Sequence, residues 1–152
     1  MARYHEADIR TAIKTKLDSD FNTMIDTIRA ERSDLNIPYA LNITKDIIKN
    51  QYPEIYIDVT GSDFTNDILD TDIDLSDEVF EVEIKAILKT NSNSLQNYTD
   101  YYNEALKRVL HGYNDANISM ILMNNTIQID LEEERSNQTY RMCGVVCQVF
   151  VP

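Results

Sequence analysis

The sequence predicts an α+β fold, in which a mixed, mainly antiparallel sheet of about four strands carries two main helices on one face. The first observation is the stretch 78–89, where apolar and charged residues alternate as they do in a strand with one buried and one wet face. The second is the stretch 95–113, where apolar residues recur at the three- and four-residue spacings of an amphipathic helix. A similar stripe over residues 4–32 is the third. The predicted order is helix, strand, strand, helix, strand, strand.

The N-terminal helix is predicted over residues 4–32. Its apolar stripe is long enough to cross a sheet or to lie along a neighbouring subunit, and consists of Ile9, Ile13, Leu17, Phe21, Met24 or Ile25, and Ile28. Residues 33–40 are predicted to be a loop, because Pro38 interrupts regular structure. A short helical turn is predicted over 43–50.

Four strands are predicted from alternation. The first covers 54–60, with Ile55, Ile57 and Val59 facing the core, and the second covers 78–89. Between them, the acidic stretch 61–77 is predicted to be an arm or a mobile loop. In the second helix, Asn93 or Ser94 is the predicted N-cap and Gly112 the left-handed C-terminal residue. The last two strands are predicted over 120–131 and 139–151.

Charge and composition exclude several function classes. The formal net charge is −12, which repels phosphates and argues against sequence-specific binding of DNA or RNA. With three glycines, neither a dinucleotide-binding fingerprint nor a phosphate-cradling loop can be assembled. The N-terminus lacks the apolar core of a signal peptide, and no apolar run is long enough to span a bilayer. We therefore expect a single soluble intracellular domain over 1–152.

Cysteine and histidine residues provide no recognisable site. Cys143 and Cys147 lie about 13 Å apart on one face of a strand, too far to form a disulfide, and are predicted to be buried free thiols. His5 is expected near a frayed end. His111 is expected at the last turn of a helix, where its charged form suits the helix dipole.

The acidic stretch resembles a calcium-binding loop in part. Asp70, Asp72 and Asp74 alternate, and Glu78 and Glu81 stand at the ninth and twelfth places of such a loop. Leu75 occupies the place where the sharp turn needs glycine. A solvated acidic loop is the favoured interpretation, and no metal or cofactor is predicted.

Glu83-Ile84-Lys85 suggests an enzymatic alternative. A strand that bears Glu-x-Lys, with an upstream acid such as Asp58 or Glu81, resembles the metal-dependent restriction-endonuclease-like superfamily. In such a site, two carboxylates would hold Mg²⁺ and Lys85 would polarise water. The upstream Pro-Asp element of that superfamily is absent. A wet strand face with alternating charge is the favoured interpretation.

The order of segments also resembles the neck proteins of tailed bacteriophages, most closely the tail terminator (tail completion) family. The resemblance covers most of the chain and lies in the long N-terminal helix, Ile37-Pro38, the segment Tyr52-Pro53-Glu54-Ile55-Tyr56-Ile57, the strand 80–88, and a helix with Leu95, Tyr98, Tyr101, Tyr102, Ala105, Leu106, Val109 and Leu110. The acidic stretch 61–77 is a departure from the family pattern.

That resemblance implies a structural virion protein of the phage neck, not an enzyme. Family members form a ring, usually a hexamer, that caps the tail tube and joins it to a head-side connector, while DNA passes through the lumen without specific binding. Six acidic copies would carry a charge of about −70, which lets DNA slide. The implied location is the virion, assembled in the host cytoplasm, and the alternatives within the class are a stopper or an adaptor. The residues expected to face the lumen or a neighbouring copy are Asp63, Asp67, Asp70, Asp72, Asp74, Glu81, Glu83, Lys85 and Tyr101.

Overall fold

Two helices and five strands form the described part of the molecule. The computed structural model describes residues 6–32, 36–44, 51–64, 78–90, 95–115, 118–135 and 138–151. The elements are α1 (Glu6–Glu31), β1 (Asn42–Thr44), β2 (Glu54–Phe64), β3 (Glu78–Thr90), α2 (Leu95–Leu110), β4 (Met120–Arg135) and β5 (Gln138–Val151). One mixed sheet has the strand order β1-β2-β3-β5-β4, with β1 parallel to β2 and the other pairs antiparallel. The predicted α+β class is confirmed.

β3 is the central strand of the sheet. β2 pairs with its residues 78–87 on one side, and β5 pairs with all of it on the other. Its core-facing side chains are at most 1 % exposed, and comprise Phe80, Val82, Ile84, Ala86 and Leu88. The alternation in the sequence therefore gives the burial pattern directly, since successive strand residues point to opposite faces.

Both helices pack on this same face of the sheet. The buried stripe of α1 consists of Ile9, Ile13, Leu17, Phe21, Ile25 and Ile28, with Ile25 rather than Met24 in the core. Tyr102 of α2 is fully buried and makes an edge-to-face contact with Phe21, with ring centroids 5.1 Å apart. Its hydroxyl donates a hydrogen bond of 2.7 Å to the Pro38 carbonyl. Tyr102 thus joins α1, α2 and the segment that follows α1.

That segment, residues 36–41, is irregular as predicted but is held firmly by α1. The Asn22 side chain donates to the Ala40 carbonyl and accepts from the Ala40 amide. Arg29 donates to the Ile37 carbonyl through two guanidinium nitrogens. These bonds satisfy backbone groups that have no strand partner. They also hold the chain in position for the start of β1.

Two expectations from the sequence were wrong in detail. Residues 42–44 form an edge strand parallel to β2 instead of beginning a helical turn, and residues 45–50 lie outside the described residues. This edge strand is the fifth of a sheet predicted to have about four. The predicted arm 61–77 begins later, because a bulge after Val59 lets Gly61–Phe64 continue pairing with β3.

The caps of α2 were predicted from single residues. Gly112 has a φ of 76°, which confirms the left-handed residue after the helix. The N-cap candidates Asn93 and Ser94 lie outside the described residues, as do Tyr4 and His5 at the start of the predicted first helix.

Neither α1 nor α2 combines the length and the apolar character that a membrane crossing requires.

Gly144 is required by the close approach of β5 to β3. A Cβ atom at this position would lie 2.2 Å from the Ile84 carbonyl oxygen, a backbone atom that cannot move aside without disturbing the central strand. Gly144→Ala should therefore lower the free energy of unfolding by about 1–3 kcal/mol, as measured by chemical denaturation.

The matched control is Gly61→Ala, because an added Cβ there meets no atom within 4 Å. We expect that variant to stay within about 0.5 kcal/mol of the parent. Equal stability of the two variants would contradict the close approach of β5 to β3.

Candidate functional site

The face of the sheet that points away from both helices, here called the open face, carries the charged residues of β2 and β3. Asp58 is the cross-strand partner of Glu83, and Tyr56 is the partner of Lys85. Glu81 lies on the same side of β3 and is exposed. The register, not only the alternation, therefore gathers these residues in one patch.

Glu83 and Lys85 form an ion pair within this patch. Lys85 Nζ lies 3.0 Å from Glu83 Oε2, and the two side chains are about a quarter exposed. This hydrogen bond raises the pKa of Lys85, so the side chain is a cation at neutral pH and cannot act as a general base. The ammonium also lies 5.8 Å from the centre of the Tyr56 ring, and burial raises the pKa of that tyrosine.

Asp58 and Glu83 are the residues of the patch that could hold a divalent cation. Facing side chains on paired strands are close enough for their carboxylates to share an ion. In the described part of the chain, no group of three or more His, Cys, Asp or Glu side chains has a metal-binding arrangement. The patch can therefore offer a two-carboxylate site with an adjacent ammonium, or a set of charges for a partner surface.

The β4 and β5 half of the open face is largely apolar, although Asn125 and Gln148 also lie there, and the sequence interpretation missed it. Met142, Val146 and Phe150 of β5 point to this face and are half-buried, and Met120 of β4 is 42 % exposed. The available signal was that β5 has apolar residues at both odd and even positions. Such a strand is typical of a sheet covered on both faces.

A cationic and aromatic group, here called the Lys89 cluster, lies at the end of the open face where β3 finishes. Tyr52 and Tyr140 make an edge-to-face contact at 5.3 Å. Lys89 Nζ lies 5.9 Å and 5.5 Å from their ring centres. Beside the cluster is a cavity of about 480 Å³, lined partly by Leu41, which is 66 % exposed.

Other predicted site residues are dispersed. Tyr101 lies in a groove of about 580 Å³ between α1 and α2, on the helical layer instead of the open face. An Arg108–Glu31 ion pair of 2.9 Å borders this groove, and it raises the pKa of Arg108. Asp63 belongs to β2, where its backbone pairs with Val79.

The remaining acids of the prediction, Asp67, Asp70, Asp72 and Asp74, lie outside the described residues. His111 follows α2, and its Nδ1 accepts a hydrogen bond of 3.2 Å from the Met123 amide. His111 is exposed directly after α2, in keeping with its predicted place at the end of that helix, and it joins this end to β4.

Cys143 and Cys147 are free thiols with no exposed surface, which confirms their predicted burial. Burial raises the pKa of both thiols, to about 12 for Cys147. Because the thiolate is the reactive form, neither side chain is suited to nucleophilic chemistry.

We predict that neither thiol reacts with a disulfide reagent at pH 8 until the protein is unfolded. Stability should be unaffected by these groups below the ordinary thiol pKa of 9.0 and should fall as the pH rises toward 12, because the unfolded chain loses the protons first. Thiol titration with and without denaturant measures the first effect. Rapid reaction of the folded protein would contradict the burial.

Comparison with known proteins gives two findings. A chain from the "Virion of native gene transfer agent (GTA) particle" is similar in fold, with a TM-score of 0.55 over 94 % of this chain and 92 % of that chain, at 10 % sequence identity. No curated protein matches the sequence. The family model described as "Viral/Archaeal nuclease" matches residues 13–142, which include every residue of the open-face patch. Because this match spans most of the sequence, the chain belongs to the viral/archaeal nuclease family.

Proposed function

We propose that the chain is a structural subunit of a phage-like virion, which assembles with copies of itself and with other virion proteins. The observation that carries this proposal is the open face. Its β4 and β5 half presents Met120, Met142, Val146 and Phe150, which neither helix covers. Exposed apolar side chains gathered on an uncovered sheet face are typical of a protein–protein contact.

The similarity in fold to a virion chain supports the same proposal. It extends over nearly the whole of both chains, so it concerns the complete arrangement and not a shared substructure. A net charge of −12 also suits a subunit that surrounds DNA without binding it.

The finer proposal is a tail terminator. The subunits would form a ring, of six copies by resemblance, that caps the tail tube, contacts a head-side connector and leaves a lumen for DNA. A ring needs two different surfaces that meet between copies. The open face and the edge strands β1 and β4 are available as such surfaces. A stopper or an adaptor of the same neck would use the same surfaces.

We predict that Val146→Lys prevents assembly without unfolding the subunit. Val146 pairs with Glu83 on the open face, so the added charge lies outside the core but inside the proposed contact. Light scattering after gel filtration, with negative-stain images, should show rings for the parent chain and monomers for the variant.

The control variant is Thr27→Lys, which adds the same positive charge to an exposed residue of α1. A loss of assembly in Val146→Lys but not in Thr27→Lys would support the open face as a contact. A parent chain that remains monomeric at high concentration, even with its tube partner, would contradict the proposed ring.

A second candidate function is a metal-dependent nuclease. Two specific observations favour it: the pairing of Asp58 with Glu83 beside Lys85, and the match to the family of viral and archaeal nucleases. Cleavage would need Mg²⁺ between the carboxylates and a water polarised by Lys85. The ion pair between Lys85 and Glu83 weighs against it, because it neutralises one of the two carboxylates.

The nuclease hypothesis is tested by incubating the purified chain with plasmid and single-stranded DNA in Mg²⁺ or Mn²⁺. If the chain is structural as proposed, no cleavage occurs, and Glu83→Gln behaves like Glu81→Gln in every assay. Cleavage lost by at least about 100-fold in Glu83→Gln, but retained in Glu81→Gln, would establish the enzyme instead.

A further inference from the structure

The Lys89 cluster differs from the other cationic sites along β3. Lys85 is paired with Glu83, whereas no carboxylate in the described ranges lies within ion-pair distance of Lys89 Nζ. The lysine instead stands between two tyrosine rings beside an open cavity. A lysine beside aromatic rings at an open cavity is suited to an acidic ligand, because the ammonium attracts a carboxylate and donates charge-assisted hydrogen bonds to it.

The sequence contains an acidic stretch whose negative charge complements that of Lys89. Residues 61–77 contain no Lys or Arg and carry the acids Asp63, Asp67, Asp70, Asp72, Asp74 and Asp77. Its larger part, 65–77, joins Phe64 to Glu78, which are cross-strand partners. Both ends of this connection are therefore fixed at the end of the β2–β3 pair that is far from Lys89.

The acidic stretch is too short to reach the Lys89 cluster of its own chain. At a rise of about 3.3 Å per residue, Lys89 stands about 36 Å along β3 from Glu78. Because the connection must run out and return, its middle can lie at most about 24 Å from Phe64 and Glu78. The stretch thus falls about 12 Å short of the Lys89 backbone, even at an extension that costs most of its conformational freedom.

We propose that the Lys89 cluster binds the acidic stretch 65–77 of an adjacent copy of the chain. This inference rests on the proposed ring and identifies one of its contacts. The cluster lies at one end of the open face and the acidic stretch begins at the other, so the contact joins two different surfaces. Repeated head to tail, such a contact generates a closed ring or a filament.

The test compares charge-reversal variants of the full chain. Lys89→Glu should raise the concentration needed for half-assembly by at least about tenfold, because it places like charges in the contact. Lys14→Glu on α1 reverses a half-exposed lysine away from the open face and should leave assembly near the parent value. Assembly of the parent should also weaken as salt is raised.

A rescue variant identifies the occupant. Adding Asp70→Lys, Asp72→Lys and Asp74→Lys to Lys89→Glu should restore assembly, because it exchanges the charges of the two surfaces. Thermal denaturation of each variant confirms that the subunit remains folded. Failure of the rescue would overturn the acidic stretch as the occupant.

The remaining outcomes separate this inference from the proposed function. If the parent assembles and Lys89→Glu assembles equally well, the Lys89 contact is wrong but the ring stands. If the parent is monomeric under all conditions, both the ring and the contact are wrong.

Discussion

The fold depends on the coverage of one face of the sheet by both helices. The apolar side of β3 is almost completely removed from water by α1 and α2, and Tyr102 ties these helices to the segment around Pro38. Burial of this kind is the main favourable term in folding, at about 25 cal/mol per Å² of apolar surface. Both helices lie on one side of the sheet, and neither of them covers the charged and apolar residues of the opposite face. The position of every candidate site follows from that asymmetry.

The open face is chemically divided, and each half bears on a different candidate function. The strands β2 and β3 contribute Asp58, Glu83 and Lys85, whereas β5 contributes apolar residues such as Val146 and Phe150. A nuclease needs a groove with positive charge to hold a phosphate backbone, and the chain has a net charge of −12. An assembly surface needs apolar area with polar residues at its margin. The open face has apolar area bordered by polar residues, whereas its patch of two carboxylates and one paired ammonium does not provide a positive groove.

The sequence was sufficient for the elements whose periodicity extends over many residues. The stripe of α1 and the alternation of β3 each repeat often enough to predict both the element and its buried side. β1 could not be predicted in this way, because three residues show no period and the strand exists only through its pairing with β2. The bulge after Val59 and the contact of Asp58 with Glu83 depend on register, which is fixed by tertiary pairing. The apolar half of the open face was visible in β5, but the sequence analysis assigned only the opposite, core-facing side of that strand.

Charge is the remaining constraint on any assembly of this chain. Each contact between copies brings two strongly acidic bodies together, and repulsion rises with every copy unless cations lie in the contacts. Lys14 and Lys16 are already paired with aspartates one helical turn away, and Lys85 is paired with Glu83. Lys89 is held between Tyr52 and Tyr140 at the end of the sheet, where a neighbouring chain can approach it. In the proposed ring, an acidic stretch and a cationic cluster at opposite ends of the β2–β3 pair can meet between neighbouring copies. That separation favours head-to-tail contact over a symmetric pair of like surfaces.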